Sequence, residues 1–140
     1  MKARSIVYWI TTVLVAVVLL SSIVGVLKNP DAVAGMRQLG YPAYFLVIVS
    51  TWKVLGGIAI LAPGFPRLKE WAYAGAIFDF TGAAISHASV GSPVGNIVAP
   101  LIIALIALAS WALRPQSRRL GNVVPQTDPG VAAARVVATG

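Results

Sequence analysis

Lys53, Asp79 and His87 are ionisable residues set inside apolar runs, and any chemistry in this chain has to start from them. Lys53 sits midway along AYFLVIVSTWKVLGGIAILA, residues 43–62, while Asp79 and His87 sit in the next run, 71–90. A charge at the centre of a bilayer costs roughly 3 kcal/mol even on a lenient scale, so such residues face a partner or a cavity. Three roles suit them: an ion pair holding two helices in register, a proton relay, or recognition of a polar headgroup such as a quinone carbonyl or a small anion. Asp79 and His87 lie about 12 Å apart along a helix, too far to share an ion, so no metal site is assigned. The absence of cysteine excludes thiol exchange, iron–sulfur ligation and Cys-based zinc sites, and a single histidine excludes a bis-histidine haem within one chain. Without a thiol, metal or nucleophile motif no catalytic residue is assigned, and the chain reads as non-catalytic by itself.

The elements that must position these residues are two antiparallel helices. Lys53 and Asp79 lie about 13 and 12 Å from the turn that joins their helices, a depth match that predicts a lateral Lys53–Asp79 pair. On the second helix Ala72, Gly75, Asp79, Gly82 and Ser86 form a seam of small residues; on the first, Val49, Lys53, Gly56, Gly57 and Ile60 share a side. Small residues let membrane helices approach closely, so the two seams are expected to face each other. His87 falls one residue off the seam, two turns beyond Asp79, and Asn96 on the following helix could reach its level. Either it is a helix-end imidazole bonded to a neighbour, or it titrates at the mouth of a cavity. Trp52, beside Lys53, is either lipid-facing bulk or a stacking surface for a flat ligand.

Composition sets the solvent. Of 140 residues 58% are hydrophobic and 11% charged, against about 25% charged in soluble domains. Four runs read as membrane spans, at about 5–27, 43–62, 71–90 and 94–113, each near the 20 residues that cross a bilayer. The first is uncharged and longer than a signal-peptide core, so a retained helix is expected. Between the first two spans, KNPDAVAGMRQLGYP carries Asn29 as a cap, Pro30 at the first helical position and Asp31 at the positive end, predicting a short interfacial helix. The fold class is therefore all-α: residues 1–114 an integral membrane four-helix bundle, residues 115–140 a flexible tail. Lys2, Arg4, Arg67, Lys69, Arg114, Arg118 and Arg119 lie at one end of the spans, and only Lys28 and Arg37 at the other. By the positive-inside rule both termini and the tail are cytoplasmic, in a multi-pass protein of the cell membrane. The same distribution accounts for the +7 net charge without nucleic acid.

GYPAYF (40–45), WK (52–53), APGFPRLKEWAYAG (62–75) and GAAISHASVG (82–91) are similar to the DoxX-like family of small bacterial membrane proteins, over residues 6–120. The resemblance implies a four-helix membrane bundle. Some DoxX relatives are quinone-linked, as a thiosulfate:quinone oxidoreductase subunit or a membrane partner of oxidative-stress enzymes. With no cysteine here, a redox role would mean quinone binding or scaffolding. The function expected is an accessory module of a membrane redox system that binds a quinone-like or other small hydrophobic molecule. Lys53, Asp79, His87, Ser86 and Asn96 would line the site, with Trp52 beside it; quinone is the candidate cofactor. Two alternatives stand: a small-solute or proton transporter working as a homo-oligomer, and a structural scaffold for a redox-enzyme partner.

Overall fold

The long uncharged run after Arg4 forms helix almost from the start of the chain, in a computed structural model that describes residues 2–121. Helix α1 spans Lys2–Ser21 and, after a break at Ser22, a single turn α2 spans Ile23–Val26. Two adjacent serines cause the break: Ser21 Oγ turns back to the Val18 carbonyl at 2.7 Å, and Ser22 N bonds only three residues back, to Leu19 O. Helix α3, Pro30–Gln38, has the expected start, with Asn29 Oδ1 accepting from Asp31 N at 3.0 Å and Pro30 at the first position. Its Val33, Met36 and Leu39 are half-buried, and Gly40 at φ 83° ends the element. Helix α4 is Ala43–Leu61, α5 Pro66–Ser89 and α6 Val94–Leu113, followed by a 3₁₀ turn at Gln116–Arg118.

Helix accounts for 82% of the described residues, with no strand among them. Among the described residues three segments are long and apolar enough to cross a membrane: Lys2–Val26, Ala43–Leu61 and Val94–Leu113. Helix α5, with 24 residues, is long enough but carries more charge, and it starts five residues earlier than the run 71–90 suggests. Pro66 supplies a preset first-turn φ directly after Phe65, which holds a left-handed φ of 51°. Lys69 and Glu70 therefore lie in the first turns of the helix, not in the loop.

Each long helix packs against two neighbours in the cyclic order α1, α4, α5, α6, with α5–α6 the most extensive contact and α4–α5 much slighter. The centre is Val15 and Leu19 of α1, Ile60 of α4, Tyr73, Ala76 and Phe80 of α5, and Ala104 and Ala107 of α6. The outside is apolar too: Ile10, Val17, Ile58, Phe78, Ile85 and Leu105 are all exposed. Apolar faces of this kind on apolar helices have lipid as their solvent. Residues 115–121 stay against the bundle, through contacts of Arg118 and Arg119 described below, whereas the rest of the expected tail, 122–140, lies outside the described residues.

Candidate functional site

Lys53 and Asp79 do meet. Lys53 Nζ lies 3.1 Å from Asp79 Oδ2, so the depth match between the two helices is real. The pair is on a surface, however: the two side chains keep 24% and 23% exposure. Asp79 Oδ2 accepts no hydrogen bond, so the contact is Coulombic without good hydrogen-bond alignment. Lys53 Nζ also stands 5.5 Å from the centroid of the Phe80 ring, which adds a cation–π attraction.

The small-residue seams do not zip α4 to α5 as expected. A Cβ built on Gly56, Gly75 or Gly82 would meet nothing within 4 Å. Gly57 instead faces α1, where a Cβ would come within 3.0 Å of Leu20 Cγ and 3.2 Å of Leu19 Cβ. Gly25 of α2 presses on Ser50 of α4 in the same way. The close approaches thus belong to the α1–α4 contact, and the α4–α5 seam is an open, glycine-edged strip with the ion pair in it.

The other expected residues fall into separate groups. Ser86 Oγ donates to Gly82 O at 2.9 Å and shares a 2.9 Å bond with the Tyr41 hydroxyl, whose ring stacks on Phe45. His87 Nδ1 bonds Ser92 Oγ at 3.0 Å, tying the imidazole to the α5–α6 turn. Trp52 is 70% exposed, and Asn96 is exposed at the start of α6.

The richest polar assembly lies at the basic end, in residues that the sequence offered only as topology signals or did not single out. Lys69 is fully buried, and its ammonium donates to Ala59 O at 2.8 Å, Ile60 O at 3.2 Å and Ala62 O. These carbonyls end α4, and Pro63 has no N–H to give Ala59 O its helical partner. Lys69 supplies the missing donors from the next helix. Burial, and then the nearby Arg118 and Arg114 charges, hold its pKa below the ordinary lysine range. Arg118 adds a bond to Ile60 O at 3.3 Å and lies 4.8 Å over the Trp9 ring.

Beside it, Glu70 joins α5 to α6: Oε1 takes Arg114 Nη2 and Oε2 takes Trp111 Nε1, both at 2.7 Å. Burial pushes the Glu70 pKa up, but these two donors together with the Arg114 charge outweigh it, so the net shift is downward. Arg114 is 3% exposed and stacks on Tyr73 at 5.2 Å, while its Nη1 is buried without a hydrogen-bond partner. Further in, the Tyr73 hydroxyl bonds Ser110 Oγ at 2.7 Å, and Ser110 Oγ bonds Thr12 Oγ1 at 2.7 Å, linking α5, α6 and α1. Two signals could have pointed here: prolines that strip donors from a helix end followed by a lysine, and hydroxyl residues recurring inside apolar helices.

Chemically, this end is a set of mutually bonded polar ties with one buried donor, Arg114 Nη1, left over, and the Lys53–Asp79 strip likewise holds one unsatisfied atom, Asp79 Oδ2. No curated protein and no solved structure matches the chain. Residues 9–110, most of the helical region, match the model described as DoxX-like family, and the chain belongs to that family.

Proposed function

We propose that this DoxX-like membrane protein is a four-span accessory module whose Lys53–Asp79 strip receives a small lipid-soluble molecule, a quinone-like headgroup being the best fit. The carrying observation is the partly exposed ion pair: opposite charges 3.1 Å apart, each side chain about a quarter exposed, midway along α4 and α5 on a strip where glycines leave open space. Helix α5 counts as the fourth span over its part from Trp71 onward, since residues 71–89 measure about 28 Å, close to the hydrocarbon thickness, and Lys69 and Glu70 lie before it. In that setting the pair faces acyl chains, where a ligand carbonyl would take a hydrogen bond from Lys53 that lipid cannot accept. The site would be an open lateral strip reached from the bilayer; two hollows at the basic end include neither Lys53 nor Asp79. In this reading both termini and the tail are cytoplasmic, in a protein of the cell membrane; the gathering of Lys and Arg at one end of the helices supports it.

The direct contact of Lys53 with Asp79 favours one rival, a structural clasp holding the α4–α5 hairpin for a partner enzyme or a second copy. Native mass spectrometry of the full chain from mild detergent, wild type beside Lys53→Met and Asp79→Asn, separates the two. A co-purifying hydrophobic molecule, lost in both variants while they stay folded, supports the strip as the site. No bound molecule in the wild type, with both variants unfolding, replaces it with the clasp.

A further inference from the structure

The end of α6 and the start of α1 enclose a second feature, independent of the Lys53–Asp79 reading. A hollow of about 350 Å³ is lined by Arg4, Ser5, Leu113, Arg114, Pro115, Gln116 and Arg119. Three of those residues are arginines, and no carboxylate lines the hollow. Arg4 Nη2 reaches Ala112 O at 3.4 Å, and Arg119 Nη2 donates to the same oxygen at 2.9 Å. The two guanidinium nitrogens are thus at most 6.3 Å apart, sharing one neutral acceptor. Arg119 Nε is spent on Arg114 O at 2.8 Å. Arg114, whose charge Glu70 already meets, adds only a buried, unpartnered Nη1. Among the described residues neither Arg4 nor Arg119 pairs with a carboxylate.

Like charges gathered on one carbonyl are at their lowest energy with an anion between them, and guanidinium forks match phosphate oxygens two at a time. The neighbours of the hollow say which phosphate. Leu113 and Pro115 line it, and the two helices that border it carry exposed Ile6, Val13, Leu105 and Leu108. A headgroup phosphate can sit among the arginines while its acyl chains run along α1 and α6, whereas a soluble phosphate would use only half of this surface. We infer that the Arg4–Arg119 hollow is a binding site for the phosphate headgroup of an anionic phospholipid.

The test uses the full chain in mild detergent with an equimolar mixture of phosphatidylglycerol and phosphatidylcholine, retained lipid being read by native mass spectrometry. The wild type is expected to retain one phosphatidylglycerol in roughly thirtyfold preference, the scale of two arginines at a lipid surface. The Arg4→Gln/Arg119→Gln double variant should lose that preference. Lys2→Gln/Arg67→Gln removes equal charge from exposed positions at the same end, outside the hollow, and should keep it. Because Arg4 and Arg119 also cap α6, a double variant that fails to fold passes the decision to Gln116→Glu. That variant leaves both arginines in place, sets a carboxylate in the hollow and should abolish retention. Equal loss in the Lys2/Arg67 control would show diffuse attraction and overturn the site. So would undiminished retention in folded Gln116→Glu. Competition by millimolar inorganic phosphate as effective as by phosphatidylglycerol would overturn the lipid assignment.

Discussion

Replacing Lys69 with methionine removes the ammonium but keeps a chain of similar length in the same buried slot. Ala59 O and Ala62 O then lose the donor that Lys69 gives them, while Ile60 O keeps Arg118 at 3.3 Å. A buried carbonyl left unsatisfied costs about 1–3 kcal/mol, so two cost about 2–6 kcal/mol. Against this, the variant escapes the desolvation of a buried ammonium, several kcal/mol, and its repulsion by Arg118 and Arg114. The expected net loss is about 2 kcal/mol, roughly a thirtyfold shift in the unfolding equilibrium. Denaturant titration in mild detergent, followed by circular dichroism, measures it directly. The pH dependence carries a second sign. Folding lowers the Lys69 pKa, so between that lowered value and the ordinary 10.5 the unfolded chain holds more protons than the folded one. Stability therefore rises with pH through that window, and the wild type should gain on Lys69→Met as pH approaches 10.5. A variant as stable as the wild type, with no pH-dependent gap, would refute Lys69 as the donor that completes α4.

Glu70→Gln should destabilise by about 2 kcal/mol, since it leaves the buried Arg114 without its counter-charge; thermal unfolding reads the loss. The wild type should lose this contribution as pH falls from the ordinary 4.5 through the lowered Glu70 pKa, while Glu70→Gln stays flat over that range. Gly57→Ala should be destabilising by about 1–3 kcal/mol, because its Cβ meets Leu20 at 3.0 Å. Gly75→Ala, facing open space, should be neutral or slightly stabilising in detergent, and any ligand retained by the wild type should bind it more weakly. The absence of native cysteine makes thiol labelling in intact cells clean: Gly35→Cys in α3 should react with an impermeant maleimide and Arg67→Cys should not. The reverse pattern would invert the proposed orientation.

Much of the fold could be read from the chain because its signals are local. Asn29–Pro30–Asp31 starts a helix through neighbours one and two residues away, and an uncharged run of membrane length has few alternatives. The Lys53–Asp79 contact was also legible, because a hairpin fixes relative depth and opposite charges fix the partner. What depth does not supply is the lateral neighbour. Helices apolar all round have no dominant face, so the glycine rows could be assigned to α4–α5 when Gly57 in fact serves α1–α4. Lys69 was hidden for a different reason. A lysine beside Arg67 and Glu70 in a proline-rich turn has the composition of a solvated loop, and only the return of α5 under α4 brings its ammonium beneath three carbonyls. Arg114 and Arg118 likewise entered the sequence reading only as topology signals, while their contacts stayed invisible.

The polar ties are unevenly distributed along the bundle. Lys69, Glu70–Arg114, Tyr73–Ser110–Thr12 and Arg118 lash all four long helices together near the basic end. Beyond Lys53–Asp79, the far half has the Tyr41–Ser86 and His87–Ser92 bonds, neither of which joins two of the long helices. The molecule is built like a clothes-peg, sprung at one end and held at the other chiefly by apolar contact. Loosening will begin at the jaws, between α4 and α5 where their packing is slightest. A lipid-soluble guest would then be admitted from the leaflet at the jaw end, and a partner that grips the sprung end could clamp the protein without blocking that door.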